Sequence, residues 1–568
     1  MGLILRWIAA AALLALGATA AAAAEDDGPL LQLLETQLKR SFDQLSAEDT
    51  PPYFLAYRVD EVESRTLSAS FGAMESDGER HMRRLYVESR VGDYALDNTH
   101  PLRSDGLRWG ANYRNNWQEL PLDNSPAALK QLLWQATNRV YQQSLDHLAK
   151  VKANVAVKVE EEDASPDFSK EPATDYTEPL STEPFPTWLW EDRLRRYSKR
   201  FSSNANILVG RVSLSFSRAS LHLVNTEGTR VRKQSPLLRM TLQVMTKAED
   251  GMELPLSRTL LAADSDGLPS EAEILAEIDG LIAQAEALRA SPLVTAYSGP
   301  VLLEGRASAV FFHELLGHRV EGHRLRREEG AQTLKRKLGE RILPAGFDVS
   351  FDPTLTSFDG TRLLGSYAVD DEGVKARRVD VVKDGVLTEF LMSRIPIEGF
   401  ERSNGHGRAQ ALSGRSPVAR QSNLMVSVAD PVPPDELKAQ FLEALAESEK
   451  GFGLIIREAT GGFTSVNRSQ PNALKVLPTV VYKVYPDGRE ELARGVDVIG
   501  TPLLTLSHIR AGGTDPKVFH GWCGAESGYV PVSLIAPTVL LDRLEVQRKP
   551  RSQTRPPILP NPVPEDGP

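Results

Sequence analysis

The stretch HELLGH, from His313 to His318, is the feature that most constrains how this chain can fold. It holds two imidazoles and a carboxylate, and the chain's only cysteine, Cys523, lies far downstream. Two imidazoles, a thiol and a carboxylate are the side chains from which catalytic zinc sites are built. A fold that uses them together must place both histidines on one side of a local element and bring Cys523 to the same point.

The spacing of the two histidines conflicts with a regular helix. Apolar residues before His313 predict a helix over 307–325, so both histidines are expected on one element. Residues five apart are separated by about 140° around a regular α-helix and point to nearly opposite sides. A π-bulge would return them to one face, and Gly317 lowers the cost of that distortion. The alternative is a regular helix whose His313 and Glu314 are surface residues that match the pattern by chance.

The first 24 residues have the composition of a secretory signal peptide. Arg6 precedes a stretch rich in alanine and leucine that ends in Ala22-Ala23-Ala24. We expect cleavage after Ala24 and a periplasmic or secreted protein that has no stable membrane span once the signal is removed. An uncleaved membrane anchor is the alternative.

Export makes the single cysteine informative. A secreted chain stabilised by disulfides has an even number of cysteines, whereas Cys523 cannot close an intrachain bridge. Cys523 is therefore either buried and inert, paired with a second molecule, or bound to a metal. The residues by themselves leave these three alternatives open.

Composition favours a globular protein and argues against nucleic-acid binding. The chain has 41% hydrophobic and 25% charged residues and a net charge of −10, which disfavours contact with many phosphates. Breaks in composition predict the signal peptide at 1–24, an N-terminal α+β domain at 25–290, a C-terminal domain at 291–548 and a proline-rich tail at 549–568. Within the first domain, the acidic segment 159–186 is expected to form a surface loop.

Hydrophobic periodicity predicts an α+β fold. Helices are expected at 30–42, 127–151, 270–288 and 437–445, with Ser270 as the N-cap of the third. Strands are expected at 53–57, 66–71, 84–89, 207–216, 220–224, 294–303, 379–382, 386–391, 424–428, 479–485 and 531–540. The first domain is thus expected to pack helices on a sheet, and the second to consist mainly of antiparallel strands that carry the HELLGH helix.

Several motifs in the second half resemble the TldD/PmbA family of metallopeptidases. They are the stretch 297–303, HELLGH with residues 319–322, Asp370-Asp371-Glu372-Gly373, and the segments 390–394, 405–408, 420–424 and 521–524. The resemblance covers about residues 294–540 well. It covers the N-terminal half only loosely, mainly at 225–228.

The resemblance implies that His313, His318 and Cys523 bind zinc and that Glu314 is the general base of a peptidase. Two imidazoles and a thiolate leave a fourth position for water, whose proton Glu314 can accept and pass to the departing amine. The implied substrates are small or unfolded peptides, and no substrate-binding residue is assigned. The implied assembly is a homodimer, or a heterodimer with a family member that lacks the metal motif.

Two positions depart from the family's pattern. His323 stands where an acidic residue is usual. A surface position is expected for it, and the alternatives are a group that supports the metal ligands or an additional ligand. The segment after Cys523, which includes Glu526, lacks the usual basic residue. His520 lies near Cys523 in sequence, which alone does not bring it to the site. Two other functions stay open: a peptide-binding or assembly subunit whose structural zinc is closed by His323 or His520, and a zinc amidase acting on cell-envelope material.

Overall fold

The computed structural model describes residues 28–102, 116–156, 163–262, 264–265, 267–326, 334–448, 450–465, 474–549 and positions 557, 559 and 561. The expected signal peptide and most of the proline-rich tail lie outside these residues. Within the described part, no helix is both long enough and apolar enough to span a membrane.

Helices packed on a sheet form the first half, in agreement with the α+β prediction. Leu34 of helix α1 (Pro29–Leu45) and Leu133 of helix α2 (Pro126–Val155) pack in one cluster with apolar residues of the sheet, and helix α4 (Glu271–Ala290) buries Leu281. Ser270 caps α4 in a capping box with Glu273. The elements are α1 Pro29–Leu45, α2 Pro126–Val155, α3 Thr187–Lys199, α4 Glu271–Ala290, β1 Pro52–Ser70, β2 Ala73–Val91, β3 Trp117–Glu119, β4 Asp175–Thr177, β5 Val209–Asn225, β6 Arg230–Lys247 and β7 Glu253–Ala262.

The seven strands form one sheet in the order β3-β2-β1-β5-β6-β4, and β7 also pairs with β6. The strands predicted at 53–57 and 66–71 are one continuous strand, β1. The charged residues between them interrupt the apolar alternation but pair with the neighbouring strand, for example Glu61 with Arg83 at 2.7 Å. The two strands predicted within β5 merge in the same way.

The acidic segment 159–186 is only partly the predicted surface loop in its described part, because residues 163–171 are partly buried whereas most of 172–184 are exposed. Asp167 and Phe168 are each only 3% exposed. Asp167 forms an ion pair with Arg326 at 2.5 Å, and the Arg394 guanidinium lies 3.9 Å from the centroid of the Phe168 ring. Composition misled here because the carboxylate is buried against a cation from the second half of the chain, which removes the cost of leaving it unpaired.

The second half is rich in strands, as predicted. The helix at 437–445 and the strands at 379–382, 424–428 and 479–485 are confirmed, whereas only Val386–Leu387 of the strand predicted at 386–391 forms. The elements are β8 Tyr297–Leu303, α5 Gly305–Leu315, β9 Phe347–Phe351, β10 Ser357–Phe358, β11 Thr361–Arg362, β12 Val379–Lys383, β13 Val386–Leu387, β14 Gly407–Arg408, β15 Val418–Ala419, β16 Asn423–Val428, α6 Pro434–Glu447, β17 Gly453–Thr464, β18 Leu474–Val484, β19 Glu490–Ala493, β20 Val496–Gly500, α7 Pro502–Leu506, β21 Ile509–Gly512, β22 Lys517–Ala525, β23 Gly528–Ala536 and β24 Val539–Arg548.

Helix α5 lies between two sheets. One has the order β13-β12-β9-β16-β23-β22. In the other, β17, β8, β24, β20 and β18 pair in turn and close into a ring because β18 also pairs with β17. Helix α5 contacts β17 and β18 of the ring and β22 and β23 of the open sheet. Its residues Phe311, Phe312 and Leu315 therefore share one core with Cys523.

Candidate metal centre

Helix α5 places His313 and Glu314 in the protein interior. The helix begins just after β8 and is buried along almost its whole length, because apolar residues surround it and it packs on both sheets. His313 is 7% exposed and Glu314 is 5% exposed. Their burial contradicts the alternative in which both residues lie at the surface and match the pattern by chance.

The expected π-bulge is absent, and the helix predicted over 307–325 ends at Leu315. The chain continues as a 3-10 turn, Gly317–Arg319, which carries His318. The Arg319 guanidinium donates to the carbonyl oxygens of Glu314 at 2.8 Å and Leu315 at 3.0 Å. A buried side chain thus satisfies carbonyls that a continued helix would have satisfied.

Ending the helix brings the two histidines together. Their ring centroids lie 4.9 Å apart, with the ring planes inclined by 70°. The turn needs glycine at position 317, because a Cβ there would lie 2.1 Å from Oε1 of Gln421. The spacing problem is therefore solved by a helix terminus and a tight turn, and not by a wider helical turn.

Cys523 reaches the site from a strand. It lies in β22, which pairs with β23 in an antiparallel hairpin. Its Sγ is 3.5 Å from Nε2 of His318, although 205 residues separate the two in sequence. One donor atom each from His313, His318 and Cys523 lies within 4.8 Å of the others. The structure thus brings the three predicted ligands together.

Charged neighbours favour the thiolate form of Cys523. Burial alone would raise the pKa of this thiol, but His318, Arg420 and His313 outweigh burial and hold the pKa well below its usual range. The Arg420 guanidinium lies 3.2 Å from Sγ and also donates to the Cys523 carbonyl at 2.5 Å. The thiolate is the form that binds metals.

Glu321 orients His318. Its carboxylate lies 3.2 Å from Nδ1 of His318, which leaves Nε2 directed at the Cys523 sulfur. Arg324 at 2.8 Å and Arg420 at 3.4 Å hold the same carboxylate, which is fully buried. A carboxylate on the second nitrogen of a metal-binding histidine fixes its tautomer and ring orientation. In the sequence, the only indication of this role was that Glu321 lies three residues after His318, close enough for the two side chains to meet.

The Cys523 thiolate and Glu321 also set the charge of His318. Burial would lower the pKa of this imidazole, but the two anions outweigh it and raise the pKa to about 10. A cation held by the same donors replaces that proton, so metal binding here is coupled to proton release.

A Glu321→Gln variant should bind zinc about 10- to 100-fold more weakly, because removing an outer carboxylate partner of a metal-binding histidine typically costs that much. Zinc affinity measured by chelator competition checks this expectation. Glu340→Gln is the matched control, since Glu340 is an exposed carboxylate paired with Lys337. Equal zinc affinity in the Glu321 and Glu340 variants would contradict the orienting role.

Glu314 lies beside the three donors under a strand of the ring. Its Oε1 is 4.0 Å from Nε2 of His313, and burial, opposed by the two histidines, raises the pKa of its carboxyl. Strand β17 crosses directly above it, since a Cβ at Gly462 would lie 2.5 Å from Cγ of Glu314. A carboxylate with a raised pKa next to a metal site suits proton transfer near neutral pH.

Neither His323 nor His520 joins the donor cluster. His323 is 5% exposed, so the expected surface position is wrong, and its Nε2 faces Glu526 at 3.6 Å. The two departures from the family pattern therefore contact each other. His520 Nδ1 lies 2.9 Å from the Ser533 hydroxyl. In the described residues, no fourth histidine, cysteine or carboxylate closes the site.

The residues present fit a zinc ion. The donors are two imidazoles and a thiol whose surroundings favour the thiolate, which is a set typical of zinc. Nδ1 of His313 is buried without a hydrogen-bond partner, an unusual state for a polar atom in a protein interior.

Comparison with known proteins relates the C-terminal part of this chain to metallopeptidases. Residues 296–548 match the model of the PmbA/TldA metallopeptidase C-terminal domain. A metalloprotease of Methanothermobacter thermautotrophicus is 30% identical over 236 residues, 41% of this chain and 46% of that protein. A zinc metalloprotease TldD homolog of Saccharolobus solfataricus is 24% identical over 248 residues, 44% and 51% of the two chains. The chain spans about half the length of the curated relatives it matches.

The likeness in fold extends further along the chain. The crystal structure of TldE from Thermococcus kodakarensis superposes on this chain with a TM-score of 0.60 at 14% sequence identity. The superposition covers 91% of this chain and 100% of TldE. At this identity the match concerns the fold, and it includes the N-terminal half that the family model leaves out.

Proposed function

This chain belongs to the TldD/PmbA family of metallopeptidases through its C-terminal domain, and on that premise we propose that it is an exported zinc-dependent peptidase. Its substrates in this proposal are small or unfolded peptides. His313, His318 and Cys523 hold the metal, and Glu314 is the general base.

The convergence of three donors from distant parts of the chain carries this proposal. His313, His318 and Cys523 belong to a helix, a turn and a strand, yet their donor atoms lie within 4.8 Å. Glu321 and Arg420 are buried beside them and orient the imidazole and the thiolate. A core that needed only apolar packing would not retain five ionisable groups at this point.

The chemistry follows from what surrounds the donors. When bound, zinc supplies Lewis-acid activation of water and polarises the carbonyl of the peptide to be cleaved. Glu314 accepts the proton from the attacking water and later delivers it to the departing amine nitrogen. Its burial and its position beside His313 suit both steps, because a carboxyl group whose pKa is raised from its usual low value toward the operating pH can serve first as a base and then as an acid.

An open fourth position favours this function over a structural zinc site. A structural site has four protein ligands, whereas a catalytic site keeps one position for water or substrate. His323 and His520, the two candidates for a fourth ligand, pair with Glu526 and Ser533 instead. An amidase acting on cell-envelope material would use the same open site and differ only in its substrate.

The depth of the site supports extended peptides as substrates. His313, Glu314 and His318 are each less than a tenth exposed, and β17 passes over the catalytic carboxylate. A folded protein surface cannot reach a donor set at this depth. A single extended chain is narrow enough to do so.

Removing and restoring the metal tests the proposed function. We expect the purified protein to cleave an unstructured peptide, to lose that cleavage when a chelator removes the metal, and to regain it when zinc is added at one equivalent. The same protein is also incubated with cell-envelope material, the substrate of the alternative amidase function. Mass spectrometry of the products shows whether a peptide bond of the peptide or an amide bond of the envelope material has been cleaved. Cleavage that persists in metal-free protein, or stoichiometric zinc with no hydrolysis of either substrate, would refute the peptidase proposal.

A further inference from the structure

An aromatic residue on the strand of Cys523 meets an arginine of the N-terminal sheet. Trp522 lies in β22, the outermost strand of the open sheet, and is 37% exposed. The guanidinium carbon of Arg239, on β6, lies 4.8 Å from the centroid of the Trp522 ring. The N-terminal sheet thus extends to the residue adjoining the proposed metal ligand.

Arg239 has no anionic partner, unlike two arginines on strand β7 and helix α5. Within the described part of the chain, its guanidinium forms neither an ion pair nor a hydrogen bond. Arg258 and Arg306, by contrast, share the carboxylate of Glu458 at 3.4 and 3.1 Å. A cation that is partly removed from water without a counter-charge carries a desolvation cost that an arriving anion can offset.

The surroundings of Arg239 supply no negative charge of their own. Burial lowers its pKa, and no carboxylate acts against that effect. His520, two residues before Trp522 in β22, has a pKa lowered to about 4 by burial and by Arg306, so it is neutral at physiological pH. Arg239 therefore keeps an uncompensated positive charge beside strand β22, although the whole chain carries a net charge of −10.

We propose that Arg239 and Trp522 form a subsite that binds a carboxylate of the substrate peptide. The indole face holds the guanidinium plane by a cation–π contact and leaves its N–H groups free for bidentate hydrogen bonds to the carboxylate. The carboxylate is that of an acidic side chain or of the peptide's C-terminus. This inference rests on the proposed peptidase function and assigns that site a preference for acidic substrates.

Matched pairs of unstructured peptides test the subsite. One pair carries glutamate or glutamine at the same position, and the other ends in a free carboxylate or in an amide, so the two sources of the charge are distinguished. For the wild-type holoenzyme we expect kcat/KM to be about tenfold higher for the carboxylate member of one pair, as charge-assisted hydrogen bonds imply. In Arg239→Gln that ratio should fall to about one, mainly through KM.

The control is Arg211→Gln, which removes an arginine of the same N-terminal sheet that is paired with Glu75. It should keep the wild-type ratio. Zinc content and far-ultraviolet circular dichroism of Arg239→Gln show whether that variant is folded, and Arg239→Lys, which keeps the charge without the bidentate fork, should give an intermediate ratio. A wild-type ratio near one for both pairs, or equal losses for both members of a pair in Arg239→Gln, would overturn the subsite.

Direct binding distinguishes failure of the subsite from failure of the peptidase proposal. Fluorescence anisotropy of the same labelled peptides on Glu314→Gln protein, with and without Arg239→Gln, measures carboxylate preference without turnover. If the wild type cleaves no peptide but binding still favours the carboxylate through Arg239, the peptidase proposal fails and the subsite stands. Cleavage together with equal binding of acid and amide peptides removes the subsite alone.

Discussion

A Cys523→Ser variant should purify with little zinc, its affinity lowered by more than about a hundredfold. Removing a residue that only contacts a metal ligand lowers metal affinity by up to about a hundredfold. Because Cys523→Ser removes a direct ligand, its effect should exceed that value. A serine hydroxyl is neutral at physiological pH and harder than a thiolate, so it does not replace the sulfur as a zinc ligand. Metal analysis of the purified protein by mass spectrometry gives the measurement.

The same variant should lose the coupling between metal and stability. The thiol joins β22 to the turn that carries His318 across 205 residues of sequence, so bound zinc should stabilise the folded state of the wild type in proportion to its affinity. The melting temperature of wild type should fall when zinc is removed, and that of Cys523→Ser should not respond. Ala525→Ser is the control, because it places the same hydroxyl two residues further along β22 and leaves the thiol intact. Stoichiometric zinc in Cys523→Ser would exclude Cys523 as a ligand.

A Glu314→Gln variant should keep its zinc and lose peptide cleavage by about 10²- to 10⁴-fold, the range that general acid–base catalysis contributes. Glutamine has the same shape and fits under Gly462, but it cannot accept the proton of the attacking water. Single-turnover rates at equal zinc occupancy give the measurement, so that a change in metal content is not mistaken for a change in chemistry.

A glutamate at the other end of the same helix supplies the control. Glu304 precedes the first residue of α5 and pairs with Arg457 at 2.8 Å. Glu304→Gln should cleave at close to the wild-type rate. If Glu314→Gln also retains the wild-type rate, Glu314 is not the base. If it loses its zinc, Glu314 contributes to the metal site instead.

Elements whose formation depends mainly on residues close in sequence could be predicted from the sequence. The buried stripes of α1, α2 and α4 follow apolar periodicity, and Ser270 caps α4 as its sequence context indicates. The long strand β1 was predicted only in fragments, because its charged middle is held by pairing with residues that are distant in sequence, such as Arg83. Periodicity records burial, and it does not record backbone pairing.

The buried polar groups were the hardest to foresee. His323 was expected at the surface, and Asp167 lies in a segment whose composition indicates solvent exposure. His323 and Asp167 are buried because each faces a partner from a distant part of the chain, Glu526 and Arg326 respectively. A polar residue's burial depends on that partner, which local sequence does not reveal.

The sequence by itself determined the side chains of the candidate metal centre: two histidines and a glutamate in HELLGH and a solitary thiol at Cys523. Only the tertiary structure decided how they meet. Helix α5 ends at Leu315 because Arg319 folds back onto its last carbonyls, and Gly317 then turns His318 beside His313. Such contacts, and the strand pairing that delivers Cys523, act across the fold, whereas helical periodicity reports only residues within a few turns of one another.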